Sequence, residues 1–560
     1  MTSYAEARDA EQLRILTPRI DHFIANYKDP AATVSTCRGQ TVFFFPGGMA
    51  SRLIRARQPY QEGVGVPPGM AYDPLWPDWD LVLGGWRKLK LTRDATGCFR
   101  DHHDRIIVAD GPLEVLEITP HDLFEDWCAN HYINPFIFGW DWRRRLDETA
   151  DFFLNQFIPF FRERVMANNL PDPMADFSLV GHSFGGMVVN LIARSPDPLI
   201  ANNMAAAVTI GTPSYGYSGQ AHRWFEGEPW LCWAEVEFFS ALGLDNLVDA
   251  TRHDMLEVIA SLPALYTVNF LDEVTYQANQ AAFLADTAAF RLGNYPSTDT
   301  AMAALNVDAY NPHTNGTLGR YPGNTGFDHG ELAYGLAQFQ RLASPLPAGV
   351  AQRFFNLRGV MTDFLWQVQD STVGSIKWDW VAPGYDPSGP SPITDGAPVP
   401  GDDTHAAWSA RLLNAGAHTV AVPGPLMWHA CEMNHPLIML ALGPILCPPA
   451  PNPRLRPTVK RRRRATDEEV KDLLRWIYEH RDERKRWPPI EGKSARRVLP
   501  PRLRDNFEEV VTRLFTDLVR GPVSRKKPQR TKPAKGKPTK GKATGARPRK
   551  PARGRSRKRS

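Results

Sequence analysis

Residues 176–194, DFSLVGHSFGGMVVNLIAR, constrain the fold of this chain more than any other stretch. DFSLV reads as a buried strand and MVVNLIAR as an apolar helix. Between them lies Gly181-His182-Ser183-Phe184-Gly185-Gly186. A strand that turns into a helix this sharply crowds its own backbone. Glycines two residues before and after a serine relieve that crowding. The turn lifts the hydroxyl above the sheet edge, where the helix N-terminus favours developing negative charge. Ser183 is therefore a candidate nucleophile.

Other segments keep the same rhythm. TVFFFP (41–46) is an apolar strand stopped by Pro46-Gly47-Gly48, and INPFIFG (133–139) is another. Residues 147–168 carry apolar side chains at helical spacing, with Pro159 as the expected kink. MAAAVTI (204–210), RFFNLRG (353–359) and HTVAV (418–422) are further strands. Strands alternating with helices predict an α/β fold, a mostly parallel sheet with helices on both faces. Residues 1–40 read as a helical lead-in and 41–447 as the sheet domain. An insertion at 215–350 breaks the rhythm and is expected to cap the sheet's carboxyl edge. Residues 448–465 form a basic, Pro-rich linker. Residues 466–521 make a small helical segment, with capping boxes at Thr466/Glu469 and Asp505/Glu508. Residues 522–560 have too few apolar side chains to offset ordering entropy and are expected to be disordered.

Charge divides the chain. Its net +5 conceals a tail, 524–560, with 17 Lys and Arg and no acid. Residues 451–523 hold 20 bases and 12 acids, which leaves 29 bases and 49 acids in 1–450. A polybasic tail without aromatics neutralises phosphates rather than stacking on bases. Its expected partner is an anionic membrane, nucleic acid or another polyanion, or else the acidic body itself. The N-terminus lacks a basic-then-apolar leader, and no apolar run reaches the length of a membrane span. A cytoplasmic protein, peripheral at the inner membrane surface, is the expectation. Six cysteines, at 37, 98, 128, 232, 431 and 447, show no C-x-x-C and are expected to be free, mostly buried thiols. Asp101-His102-His103-Asp104 reads as a solvated, charged turn rather than a metal site. With no P-loop, dinucleotide fingerprint or HExxH, neither cofactor nor metal is expected.

A serine hydroxyl is a poor nucleophile until a histidine, oriented by a carboxylate, takes its proton. On a strand–serine–helix turn of this kind the chain order is serine, acid, histidine. PGDDTHAAWSARLL (400–413) supplies Asp402 and Asp403 beyond the 353–359 strand. PLMWHACEMNHPLIMLAL (425–442) supplies His429 and His435 after the 418–422 strand. An oxyanion needs backbone donors. The Phe184 amide is one, and Gly48 or Met49 in FFFPGGMAS (43–51) is the other.

In this order, FFFPGGMASRL, GWDWRR, VGHSFGG, TIGTPSYG, SLPALYTV, PGDDTHAAWSA and HACEMNHPLIMLAL span roughly residues 40–445. This series resembles the lecithin:cholesterol acyltransferase-like branch of the α/β-hydrolases. The resemblance implies an α/β-hydrolase fold with an inserted lid. It implies Ser183 as nucleophile, Asp402 as acid, His429 as base, and an oxyanion hole from the Gly48 and Phe184 amides. Asp403 stands where the family has glycine and His405-Ala406 where it has Val-Pro, so Asp403 stays open as an acid and His435 as a base. The implied chemistry is acyl transfer from a lipid ester through an acyl-enzyme, to water or to an alcohol. Trp224, Phe225, Trp230, Trp233, Phe238 and Phe239 of the insertion would suit an acyl chain. The family's lid disulfide has no clear place, although Cys98 and Cys128 flank about the right region.

Overall fold

The structure is a computed structural model. Apart from single positions, it describes residues 3–28, 40–62, 66–77, 85–113, 121–216, 254–268 and 328–361, with shorter stretches between 375 and 447. The chain divides into two units, Met1–Pro522 and Val523–Ser560, and every described residue lies in the first. The linker, the 466–521 segment, the tail, Asp403 and most of the expected cap, including its six aromatics, lie outside the described residues.

Helix α1 (Tyr4–Ala25) opens with a capping box between Ser3 and Glu6. The strands follow as β1 (Thr41–Phe45), β2 (Ser51–Ala56), β3 (Tyr72–Trp76), β4 (Leu91–Arg93), β5 (Phe99–Asp101), β6 (Ile107–Pro112) and β7 (Asn134–Ile137). Next come β8 (Phe177–His182), β9 (Met204–Ile210), β10 (Phe354–Met361), β11 (Ser375–Lys377), β12 (Trp380–Val381), β13 (Ile393–Thr394), β14 (Pro398–Pro400) and β15 (His418–Gly424). Six of them form the central sheet in the order β15-β10-β9-β8-β1-β7, each neighbouring pair parallel. The α/β class and its parallel sheet thus agree with the sequence pattern. The sequence reading assigned no strand between 51 and 112. There β2, β3 and β6 form an antiparallel sheet and β4 pairs with β5.

Successive strand residues point to opposite faces, and β1 shows the consequence. Phe43 and Phe45 join one core, with Leu16 and Ile20 of α1 and Val188 of the helix after Ser183. Val42 and Phe44 join the other, with Phe124, Leu437 and Ile438. Both faces are covered, so β1 and β8 are buried at every position. From β1 the chain steps to β7 on one side, then builds β8, β9, β10 and β15 outward on the other. The loops after β1 and β8 leave adjacent strands at this reversal, where open parallel sheets form their ligand crevice.

Helix α2 (Asp122–Asn130) leads into β7, and the 147–168 segment divides after it. It becomes α3 (Leu146–Phe152), a π-helical turn (Phe153–Phe157) and α4 (Ile158–Ala167). Pro159 sits in the first turn of α4. Proline has no N–H to donate to the preceding turn, and the wider turn accommodates that loss.

The 101–104 stretch departs from expectation. Asp101 is buried, not solvated. Its carboxylate accepts from Arg143 at 2.7 Å, Arg144 at 3.1 Å and the Tyr4 hydroxyl at 2.6 Å. Arg143 also donates to Asp141 at 2.6 Å, and its side chain is wholly buried. Burial alone would raise the Asp101 carboxyl, but Arg144 and Arg143 override it and hold it at about 2. Asp104 faces outward to Arg100 at 2.8 Å. A second correction concerns cysteine. Cys98 and Cys128 are free, but Cys447 is disulfide-bonded, to a residue whose side chain lies outside those described. No local C-x-x-C spacing announces that bond. Among the described residues, no helix is long and apolar enough to cross a membrane.

Candidate active site

Ser183 follows β8 directly and is the N-cap of α5 (Phe184–Ala193), with φ 54° and ψ −124°. L-residues rarely adopt this backbone conformation. Two contacts hold it there. The Ser183 amide donates to Ile210 O at 2.9 Å, which ties the turn to the end of β9. The β1 carbonyls also press against the first turn of α5. A Cβ on Gly185 would collide with Phe45 O, so no larger residue fits there. The Ser183 hydroxyl does not cap α5.

The loop after β1 lies against this turn. A Cβ on Gly47 would sit 3.0 Å from Ser183 Cβ, and one on Gly48 would sit 3.0 Å from the Phe184 ring. Met49 has φ 63°, and its carbonyl accepts from Trp76 Nε1 at 2.7 Å. Phe184 is the first residue of α5, so its amide has no acceptor within the helix. Gly47 and Gly48 of this loop therefore lie against Ser183 and Phe184.

Asp402 follows β14 and His429 follows β15 in the chain. His429 begins a short 3-10 turn (His429–Asn434) after β15, and its Nδ1 lies 2.9 Å from Asp402 Oδ2. The backbone repeats the link: the His429 amide donates to Asp402 O at 2.8 Å. The ring stacks on His182, the residue before Ser183, with centroids 4.6 Å apart. His435, the other sequence candidate, caps the helix Pro436–Leu446 by accepting from the Leu437 amide at 3.2 Å.

Sequence reasoning did not single out Glu432 or His182. Glu432 is fully buried, and its Oε2 lies 3.5 Å from both His429 Nδ1 and His182 Nε2. Its position three residues after His429, on one helical turn, was the available signal. His405 also belongs to the cluster. Its amide donates to Asp402 Oδ1 at 2.5 Å, its Nδ1 lies 3.0 Å from Gly211 O, and its ring meets that of His429 edge-on.

The electrostatics follow from this packing. Burial opposes an imidazolium at His429, but Asp402 and Glu432 together raise it to about 10. Burial pushes Asp402 up to about 6 despite its bond to His429. Burial also pushes Glu432 up, but its contacts with His182 and His429 outweigh that and lower it. Burial lowers His182 and favours its neutral form. Ligand-type atoms of His182, His429 and Glu432, and of Asp402, His405 and His429, lie within 4.8 Å of one another. His429 Nδ1 bonds Asp402 at 2.9 Å and stands 3.5 Å from Glu432.

No known family model matches the chain, and no curated protein matches it. A solved structure described as "The crystal structure of Tle4-Tli4 complex" aligns with 73% of this chain and 97% of its own at 12% identity, with a TM-score of 0.38.

Proposed function

We propose that this protein is a serine acyl hydrolase or O-acyltransferase of the lecithin:cholesterol acyltransferase-like branch of the α/β-hydrolases, acting on lipid esters. One observation carries the acyl chemistry: a serine in a strained strand-to-helix turn, at the same sheet edge as a buried Asp402–His429 pair. The lipid class rests on the ordered motif series in the sequence. Ser183 Oγ attacks the ester carbonyl as His429 takes its proton. The Phe184 amide and a Gly48 or Met49 amide receive the oxyanion. The carbonyl–oxygen bond to the leaving alcohol then breaks, and His429 returns the proton to that alcohol. Water or an acceptor alcohol next gives its proton to His429 and attacks the acyl-Ser183 ester; the acyl–Oγ bond breaks, His429 returns the proton to Ser183 Oγ, and the acid or a new ester leaves.

A fluorophosphonate probe tests the reading. It is expected to label the full chain on Ser183 and nowhere else. Phospholipid or neutral-lipid turnover, with and without a long-chain alcohol, then separates hydrolysis from transfer. An unlabelled Ser183 in folded protein sinks the proposal.

A second reading concerns the tail and is favoured by its 17 unopposed charges. The full chain is expected to bind phosphate-bearing polyanions, with affinity falling steeply as salt rises. Sedimentation with anionic vesicles and titration with duplex DNA across salt concentrations check it. Salt-independent binding, or none to either, refutes it.

A further inference from the structure

Four chain segments meet at the Glu432 carboxylate. Oε1 accepts the Gly359 amide of β10 at 2.8 Å. Oε2 faces His182 Nε2 at the end of β8 and His429 Nδ1 on its own turn. Gly211, just after β9, has φ 53°, and a Cβ there would overlap Glu432 Oε2. The glycine of the TIGTPSYG motif therefore leaves room for this carboxylate. A buried carboxylate needs partners; Glu432 Oε1 has the Gly359 amide, while Oε2 makes no hydrogen bond and stands 3.5 Å from two imidazole nitrogens.

We propose that Glu432 is a second carboxylate partner of His429, a positioning residue that works beside Asp402 on the imidazole serving Ser183. The inference rests on the serine acyl-transfer reading above. Asp402 takes the short bond to Nδ1 and fixes the ring's tautomer. Glu432, anchored by Gly359 and His182, adds a second negative charge beside the same nitrogen. It thereby stabilises the imidazolium that forms when Ser183 loses its proton.

Among the described residues, four groups face His429. Asp402 and His405 come from the 402–405 loop, Glu432 from its own turn and His182 from β8. His121 is felt beyond His182. Asp402 and Glu432 are the acids among these described groups. With both in place the base holds its proton to high pH, and the enzyme gains activity as pH rises.

The test is the pH dependence of the Ser183 labelling rate with a fluorophosphonate, measured on full-length protein. In the wild type, the acid limb is expected well above the ordinary imidazole value of about 6.5. Glu432→Gln keeps the shape and removes the charge, so the limb is expected to fall by about 1 to 3 pH units. Glu432→Asp restores the charge and is expected to move the limb back toward the wild type. A Glu432→Gln limb in the wild-type position, with the rate lowered equally at every pH, means a structural role only and overturns the proposal. Should Glu432→Gln fail to fold, the wild-type limb decides: a midpoint near the ordinary imidazole value overturns the proposal. Loss of labelling at all pH in folded wild type would instead overturn the serine reading itself. Labelling with an unmoved limb overturns only the role of Glu432.

Discussion

Ser183→Gly is expected to abolish ester turnover and, at the same time, to stabilise the fold. Removing the nucleophile of a serine triad costs on the order of 10⁶-fold in kcat. The stability gain comes from the backbone. Ser183 sits at φ 54°, ψ −124°, and a residue with a Cβ held in so sparse a region costs about 1–3 kcal/mol. Glycine adopts that geometry without the Cβ penalty but loses about 0.5–1 kcal/mol more conformational entropy on folding. The net is a gain of about 1 kcal/mol over Ser183→Ala, which also lacks the hydroxyl but keeps the strain. Urea midpoints of the two variants isolate the backbone effect. A glycine variant no more stable than the alanine variant would mean that the turn stores no strain.

Arg143→Met is expected to be the most destabilising single change in the described fold. It leaves Arg144 as the one arginine bridging Asp101 and Asp141 in a buried cluster, with the Tyr4 hydroxyl still on Asp101. Removing one partner of a buried ion pair costs about 3–5 kcal/mol, because the charge left behind has lost its water. That is a large share of a typical total of about 5–15 kcal/mol. The same cluster sets an acid limit. Asp101 titrates at about 2 in the folded chain and near its ordinary value of about 3.9 when unfolded. Its folded value is depressed, so its stabilisation is fully present above about pH 4 and is lost as pH falls toward 2. In Arg143→Met the Asp101 carboxyl is expected to titrate higher, so acid unfolding begins at a higher pH. Urea midpoints from pH 6 to pH 2 test both points. An unchanged midpoint in the variant would show that the cluster contributes nothing net.

The parts of the fold legible in the sequence were those written in local periodicity. All six central strands fall on apolar runs that end at glycine, proline or a charged loop. The antiparallel strands between 51 and 112 escaped because they run only three to six residues and mix polar with apolar residues without a period. Within the site, the turn that carries Ser183 was legible because strand, turn and helix are contiguous there. Asp402 and His429 were legible only as one of two acids and one of two histidines. The Nδ1–Oδ2 distance of 2.9 Å joins His429 to Asp402.

By itself, then, the sequence determined a parallel α/β sheet and a serine lifted on a sharp turn, since backbone sterics and side-chain period act between near neighbours. Only the tertiary structure decided which charges share a buried space. Glu432 meets an amide 73 residues away, and Asp101 meets Arg143 across 42. The need of a buried charge for a partner is local in space, and nothing in the order of residues along the chain encodes it.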